Sequence, residues 1–333
     1  MWKTIVCTVQ GKGHQSKGLP CQDKVFEVHI GNASAVSLAD GAGSARLSHY
    51  GAESATRAAA EVLTRDFETF LTEPDGRLVK LKFLFEVQNA IKHESEAREC
   101  EMRDLACTLL CAAANDEHFM LAHVGDGVIG YLKNGEVKVA SHPENGEYSN
   151  ATVFVTSGKA AQSMKLFKGK TDGIRGFVLM SDGTETALYH KQSGELAPAL
   201  KRMMQLCRLL PKERLEQMLD DVLKNTVSRV TNDDCSIAFL VDAPDNLDAY
   251  LSLSKEEKCD MLGIGVNTRT AAKRIARYDK LLTFLQLSRT LTQIARFLHV
   301  KHVYAHRHLM RLHYNGFVEQ RGVRYQAVPT LRT

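Results

Sequence analysis

Apolar, strand-like stretches in the first 240 residues end repeatedly in an aspartate. Asp40, Asp126 and Asp182 each follow such a stretch and precede a glycine, whereas Asp233 stands directly before another stretch. Because aspartate is short, it fixes a carboxylate close to the backbone, and the following glycine permits a sharp turn. A single Asp-Gly pair predicts only a turn. The repetition favours a fold whose strand ends converge on one edge, where the carboxylates would suit Mg²⁺ or Mn²⁺.

The spacing of apolar residues predicts several strands that follow one another without an intervening helix. Strands are predicted at 4–10, 25–30, 35–39, 106–114, 119–124, 128–132, 152–156, 176–180 and 236–241. Helices are predicted at 47–64, 78–100, 194–209 and 211–228. Asn115-Asp116 and Asn134-Gly135 supply turns for an antiparallel meander. We therefore expect an α+β sandwich of antiparallel sheets flanked by helices, rather than a doubly wound parallel sheet.

Charge is distributed unevenly along the chain. Residues 261–333 hold 13 Lys and Arg and only two acids, a balance of +11, whereas residues 1–260 have a balance of −7. We predict a linker at 244–260 between a domain at 1–243 and a basic domain at 261–333. No apolar run reaches the roughly 18 residues that a membrane-spanning helix needs. The eight cysteines form no Cys-x-x-Cys pair and the first residues lack a signal-peptide pattern, so we expect a cytoplasmic protein.

Six short motifs occur in an order that is typical of one enzyme family. They are GLPCQD at 18–23, ADGAGS at 39–44, ACT at 106–108, VGD at 124–126, SDG at 181–183 and DDCS at 233–236. Through these motifs, residues 1–242 resemble the metal-dependent, type 2C (PPM-type) serine/threonine protein phosphatases, especially their compact bacterial branch. The resemblance implies a four-layer α-β-β-α sandwich with two Mn²⁺ or Mg²⁺ ions at one rim. It also implies a phosphoserine or phosphothreonine protein as substrate, together with a cognate kinase.

The same resemblance implies roles for individual residues. The implied metal ligands are Asp23, Asp40, Gly41, Asp126, Asp182 and Asp233. Asp40 would bridge two ions, the Gly41 carbonyl would join them, and Asp126 would serve a weaker third ion. The implied catalytic set is Asp23, Asp40, Asp182 and Asp233, with a metal-bridging water as the nucleophile.

Three positions depart from the pattern of that family. Gln22 stands where an acidic residue is usual, a phosphate-binding arginine is absent, and Ala42 replaces a histidine of the animal enzymes. His14 and Lys17 lie nearby in the sequence and are predicted to bind phosphate instead. The departures leave open an alternative, which is a weak or inactive phosphatase-fold sensor that acts as a DNA-binding regulator. The polar segment 142–152 is interpreted either as a simple loop or as a substrate-contacting flap.

The basic C-terminal segment has the pattern of two short helices followed by a hairpin. Thr290 and Gln293 predict a capping box for a first helix, a tight turn follows, and 302–314 is predicted as a second helix. This order, with the hairpin after it, resembles a winged helix-turn-helix domain, whose second helix enters the DNA major groove. The residues predicted to contact nucleic acid are His302, His306, Arg307, Arg311, Arg321 and Arg324. Protein docking is the alternative for the same segment.

Overall fold

The chain divides into two compact units. The computed structural model describes residues 2–143, 152–243, 247–251, 253–266 and 269–328. The first unit contains Met1–Met204 and Glu216–Asp242, and the second contains Gln205–Leu215 and Ala243–Thr333. Most of the predicted flap (residues 144–151) and part of the predicted linker (244–246 and 252) lie outside the described residues.

Fifteen strands and thirteen α-helices are found in the described part of the chain. The strands are β1 (Trp2–Val9), β2 (Lys24–Ile30), β3 (Ala33–Ala39), β4 (Leu109–Ala114), β5 (His118–Val124), β6 (Val128–Lys133), β7 (Glu136–Ser141), β8 (Lys165–Lys170), β9 (Ile174–Met180), β10 (Tyr189–His190), β11 (Glu195–Leu196), β12 (Cys235–Asp242), β13 (Arg289–Thr290), β14 (Val318–Arg321) and β15 (Arg324–Ala327). The helices are α1 (Lys12–Lys17), α2 (Ser48–Arg65), α3 (Phe67–Thr72), α4 (Gly76–Ala97), α5 (Ala160–Ser163), α6 (Asp182–Leu188), α7 (Ala199–Leu209), α8 (Lys212–Asn225), α9 (Leu247–Leu251), α10 (Lys255–Met261), α11 (Ala271–Phe284), α12 (Leu291–Phe297) and α13 (His302–Tyr314). Short 3₁₀ helices lie at Met102–Leu105 and Val227–Arg229.

Two five-stranded antiparallel sheets form the centre of the first unit. Their strand orders are β1-β12-β9-β6-β7 and β2-β3-β4-β5-β8. Since successive strand residues point to opposite faces, β3 sends Val36 and Leu38 to one side and Ala35 and Ala39 to the other. Val36 and Leu38 share one apolar cluster with residues of the facing sheet, such as Leu240. The expected sandwich of antiparallel sheets is therefore confirmed.

Helices cover the outer faces of both sheets. Ala35 and Ala39 belong to a second apolar cluster with Phe83 and Val87 of α4 and with residues of α2. A Cβ on Gly51 of α2 would overlap the backbone carbonyl at the 3₁₀ helix Met102–Leu105, so glycine permits close packing there. Full burial of a side chain such as Phe83 contributes about 1.5–3 kcal/mol. On the other sheet, α8 lies near Cys7 of β1, and Met204 of α7 lies near Gly176 of β9.

Strand β8 differs from the sequence prediction. A strand is predicted at 152–156, but the residues from Thr152 to Val155 have no regular structure, and β5 pairs instead with β8, Lys165–Lys170. The sequence KLFKGK has three lysines and a glycine, which obscure the strand pattern. Lysines are common on edge strands because they discourage pairing with another chain.

The second unit contains helices followed by a small sheet. Its strands have the order β13-β15-β14, and Thr290 caps α12 through a reciprocal capping box with Gln293. Ile294, Ala295 and Leu309 are buried where α12 and α13 pack together.

The segment predicted as a linker forms α9 and α10 within the second unit. Tyr250 and Cys259 are buried, and Lys258 donates to the Asp279 carboxylate of α11 at 3.0 Å. Residues 205–215 also fold with this unit, where Gln205 donates to Glu257 at 2.8 Å. Among the helices that the structure describes, none is long and apolar enough to cross a membrane.

Candidate active site

Strand register brings the predicted aspartates together in two pairs at one edge of the first unit. Lys24 of β2 pairs with Ala39 of β3, so Asp23 and Asp40 are neighbours at the ends of adjacent antiparallel strands. Met180 of β9 pairs with Ile237 of β12, so Asp182 lies beside the residues that precede β12, which include Asp233. The carboxylates therefore come from both sheets of the sandwich.

The electrostatics of these carboxylates show that the two pairs meet. Burial raises the pKa of Asp23 to about 7, although the neighbouring side chains of Ser181 and Ser236 oppose the rise. Burial, followed by repulsion from Asp23 and Asp182, raises the pKa of Asp40 well above its usual range. The protein thus places several carboxyl groups close together in a partly buried site, where a cation would be needed to keep all of them ionised.

Asp182 links this group to the adjoining turn between β5 and β6. Burial, then repulsion from Asp233 and Asp126, raises the pKa of Asp182 to about 6. Asp126 accepts a hydrogen bond from the Thr152 hydroxyl at 2.6 Å. Asp126 is therefore near the site, at its margin.

Two buried carboxylate oxygens fit a cation. Oδ2 of Asp23 and Oδ1 of Asp182 are buried and accept no hydrogen bond from the described residues. A buried acceptor of this kind indicates a missing water or ion. In the described ranges, no three His, Cys, Asp or Glu side chains are arranged so that they could hold a metal ion by themselves. Mg²⁺ needs no such cage, because it usually keeps several waters and binds through one or two carboxylates.

Asp234 fixes the loop that carries Asp233. Its carboxylate accepts the backbone N–H groups of Gly11 and Gln22, both at 2.6 Å, and its Oδ2 lies 2.8 Å from His14 Nδ1. A Cβ on Gly11 would overlap the backbone of Asp233, so glycine is required for this approach. The sequence prediction gave Asp234 no role, because its partners are more than 200 residues away.

The two residues predicted to bind phosphate occupy different environments. His14 is partly buried against Asp234, which makes it a partner of the site loop. Lys17 is exposed in the last turn of α1.

Gln22, which replaces the usual acid, is buried and donates from Nε2 to the Ser48 hydroxyl at 2.9 Å. Because Ser48 is the first residue of α2, this hydrogen bond ties the start of the helix to Gln22. Gly41 also lies close to Ser48, since a Cβ added at Gly41 would be 2.7 Å from Ser48 Oγ.

Glu185 is a further carboxylate that the sequence prediction missed. It is almost fully buried in α6, and its Oε1 lies 2.6 Å from Lys191 Nζ. Burial raises the pKa of Glu185, Lys191 opposes the rise, and Asp182 and Asp126 add to it. The sequence signal for this residue was its position, because Glu185 follows Asp182 by three residues and so lies on the same first turn of α6.

The residues predicted to contact nucleic acid lie on different surfaces of the second unit. His302 and His306 are exposed on the first half of α13. Arg307 and Arg311 line a cleft between α13 and α11, and Arg311 donates to the carbonyls of Leu262 and Gly263 at 2.8 Å. Of the hairpin residues, Arg321 pairs with Glu319 at 3.3 Å and Arg324 donates to the Ser288 carbonyl at 3.1 Å.

Comparisons with known proteins agree with this arrangement. A family model described as Protein phosphatase 2C matches residues 10–224. Serine/threonine-protein phosphatase 3 of Escherichia coli (strain K12) is 27% identical over 260 residues, which cover 71% of this chain and 97% of that protein.

Solved structures share the fold of the first unit. A bacterial serine phosphatase has 16% sequence identity and a TM-score of 0.52, covering 72% of this chain and 98% of its own. Serine/threonine phosphatase Stp1 from Staphylococcus aureus has 16% identity and a TM-score of 0.50, covering 72% and 95%. The matched family model spans well over half of the chain and includes Asp23, Asp40, Asp126 and Asp182. This chain therefore belongs to the protein phosphatase 2C family, whose members are phosphoprotein phosphatases that depend on Mn²⁺ or Mg²⁺.

Proposed function

We propose that the first unit hydrolyses phosphoserine and phosphothreonine in proteins. Two Mn²⁺ or Mg²⁺ ions would bind at the edge that carries Asp23, Asp40, Asp182 and Asp233, called the carboxylate edge below, and a weaker third ion would bind at Asp126. The observation that carries the proposal is the crowding of Asp23, Asp40 and Asp182 in a buried site, with oxygens of Asp23 and Asp182 that no described donor satisfies. The name of the E. coli relative supports the same substrate class. When bound, such ions stabilise charge on phosphoryl oxygens and lower the pKa of a water.

Different residues of the site would have different roles in binding the ions. Asp40, Asp182 and Asp233 would hold the ions, and the Gly41 carbonyl would add an oxygen. Asp23 lies near Ser181 and Ser236, which favour its charged form. Because these groups are set before substrate arrives, little reorganisation is needed during the reaction.

Two variants and a matched control test the proposal. Asp40→Asn and Asp182→Asn each remove one negative charge from the site and should lower kcat/KM by at least about a hundredfold, because ion binding is lost. Asp172→Asn is the control, since Asp172 lies just before β9 while Asp182 lies just after it, at opposite ends of one strand. The assay is release of phosphate from phosphoserine, phosphothreonine and phosphotyrosine peptides, with Mn²⁺, Mg²⁺ or EDTA.

Two results would contradict this proposal. Faster cleavage of the phosphotyrosine peptide would overturn the substrate class. A wild-type protein that is inactive with every metal would instead favour the inactive sensor, for which the neutral Gln22 is the supporting observation.

We infer that the second unit is a winged helix-turn-helix module that binds nucleic acid. The order α11, β13, α12, α13 and the hairpin β14–β15 supports this assignment. The exposed first half of α13, with His302 and His306, would meet the major groove, and Arg321 and Arg324 would lie near phosphates. The charge of +11 after residue 260 supplies attraction to the backbone.

Binding of labelled duplex DNA to the full chain tests this module. Affinity should fall linearly with salt on logarithmic axes, and His302→Ala with His306→Ala should weaken binding. No binding at low salt would leave protein docking as the better account.

A further inference from the structure

The second unit has a cleft between α11 and α13 whose walls are strongly basic. Its volume is about 420 Å³, a size typical of small-molecule sites. The cationic side chains that line it are Lys273, Arg274, Arg277, Arg307 and Arg311. Among the described residues, no Asp or Glu lines this cleft. The cleft therefore carries a formal charge of +5 that no lining carboxylate balances.

The spacing of these cations places like charges next to each other. Lys273 and Arg277 are four residues apart on α11, and Arg307 and Arg311 have the same spacing on α13. Side chains at this spacing are neighbours on a helix, and like charges there repel each other. The repulsion would be relieved by an anion between the two helices.

Several groups in the cleft are held in position. Arg311 Nη1 donates to the Leu262 and Gly263 carbonyls, each at 2.8 Å. Arg277 Nη1 lies 3.1 Å from His308 Nε2, and His308 Nδ1 lies 3.2 Å from the Tyr278 hydroxyl. Burial, followed by the charges of Arg277 and Arg274, lowers the pKa of His308, so its neutral ring can accept from Arg277. Donors that are already ordered lose less entropy when a ligand binds.

We propose that this cleft binds a compact ligand carrying two or more phosphate groups. Guanidinium groups match phosphate oxygens in a bidentate geometry, and here they approach from two opposing helices. Thr270, the residue before α11, also lines the cleft, so the positive end of a 14-residue helix faces the same space. A chain of phosphates fits this concave site, whereas duplex DNA would meet the exposed first half of α13.

Calorimetric titration of the full chain tests the site, with EDTA present so that the carboxylate edge holds no metal. Tripolyphosphate should bind, and the double variant Lys273→Gln/Arg277→Gln should weaken binding at least tenfold. Both residues are exposed, so the variant should fold, which far-UV circular dichroism checks. Lys280→Gln is the matched control, because Lys280 is exposed on the same helix but does not line the cleft. Tighter binding of adenosine triphosphate would identify a nucleotide as the ligand, and equal binding would show that phosphates alone are recognised.

Three results would overturn the proposal. The first is no binding of either probe at millimolar concentration in 50 mM salt. The second is an equal loss in Lys280→Gln, which would indicate a diffuse charge effect. The third is loss of DNA binding in the double variant without any binding of tripolyphosphate, which would assign these residues to nucleic acid. None of these results depends on phosphatase activity.

Discussion

Substitution of Asp234 tests whether the loop carrying Asp233 must be fixed for catalysis. In Asp234→Asn one carbonyl oxygen remains, so one of the two backbone N–H groups, from Gly11 or Gln22, loses its acceptor. A buried donor without an acceptor costs about 1–3 kcal/mol. Asp234→Ala removes both acceptors, which gives roughly 2–6 kcal/mol. Because Asp234 also repels Asp23, its removal relieves part of this cost, and we expect the lower half of each range.

A single tryptophan makes the stability measurement specific to the first unit. Trp2 is the only tryptophan of the chain and is buried in β1 against Phe177, with ring centroids 6.0 Å apart. Its fluorescence during urea titration therefore reports unfolding around β1. Asp234→Asn should also lower kcat/KM at least tenfold and raise the Mn²⁺ concentration needed for half activation, since Asp233 is no longer held in place. Asp172→Asn should change stability by less than about 0.5 kcal/mol.

The reasoning would be refuted by an Asp234→Ala protein with an unchanged urea midpoint and full activity. Such a result would mean that the contacts of Asp234 with Gly11 and Gln22 do not position Asp233. A protein with reduced stability but normal Mn²⁺ dependence would limit Asp234 to a structural role.

Three further predictions concern packing, pH and thiol reactivity. Gly51→Ala should lower the free energy of unfolding by about 1–3 kcal/mol, because the new methyl group meets the carbonyl of Leu105; an unchanged urea midpoint in the Trp2 titration would contradict this. Burial lowers the pKa of His123 to about 3 in the folded protein, whereas the pKa of this histidine in the unfolded chain is about 6.5. Between these two pH values the unfolded state therefore binds more protons than the folded state. The stability contributed by neutral His123 should thus be complete above about pH 6.5 and decline as pH falls toward 3, and a His123→Gln protein should show a weaker decline in urea titrations. At pH 7.5 a thiol reagent should modify the partly exposed Cys100 before Cys107, because Cys107 is buried and burial raises the pKa of its thiol. Peptide mapping that finds Cys107 labelled first would contradict its burial.

Elements with strong local signals were predicted well. Helix α13 has the predicted bounds, and the capping box of Thr290 and Gln293 is present. The hairpins β4–β5 and β6–β7 were also expected from their turn residues. These features depend on neighbouring residues in the sequence, so periodicity and turn chemistry suffice to locate them. The prediction that β4, β5 and β6 form one meander was wrong, because β5 and β6 lie in different sheets.

Features that depend on distant partners could not be located in this way. β8 is a strand because the edge of β5 offers backbone hydrogen bonds to a lysine-rich segment that has no strand pattern of its own. Residues 244–260 were predicted as a linker, yet Tyr250 is buried in the second unit.

By itself, the sequence of this protein determined which residues could carry the chemistry, since aspartates before glycines mark strand ends wherever the strands finally lie. Only the tertiary structure decided which of these carboxylates face one another, and that Asp234 binds Gly11 and Gln22. It also decided that Arg307 and Arg311 line a cleft with α11. The physical reason is that helix and strand periods fix the face of a side chain, whereas its partners are fixed by packing between segments far apart in the chain.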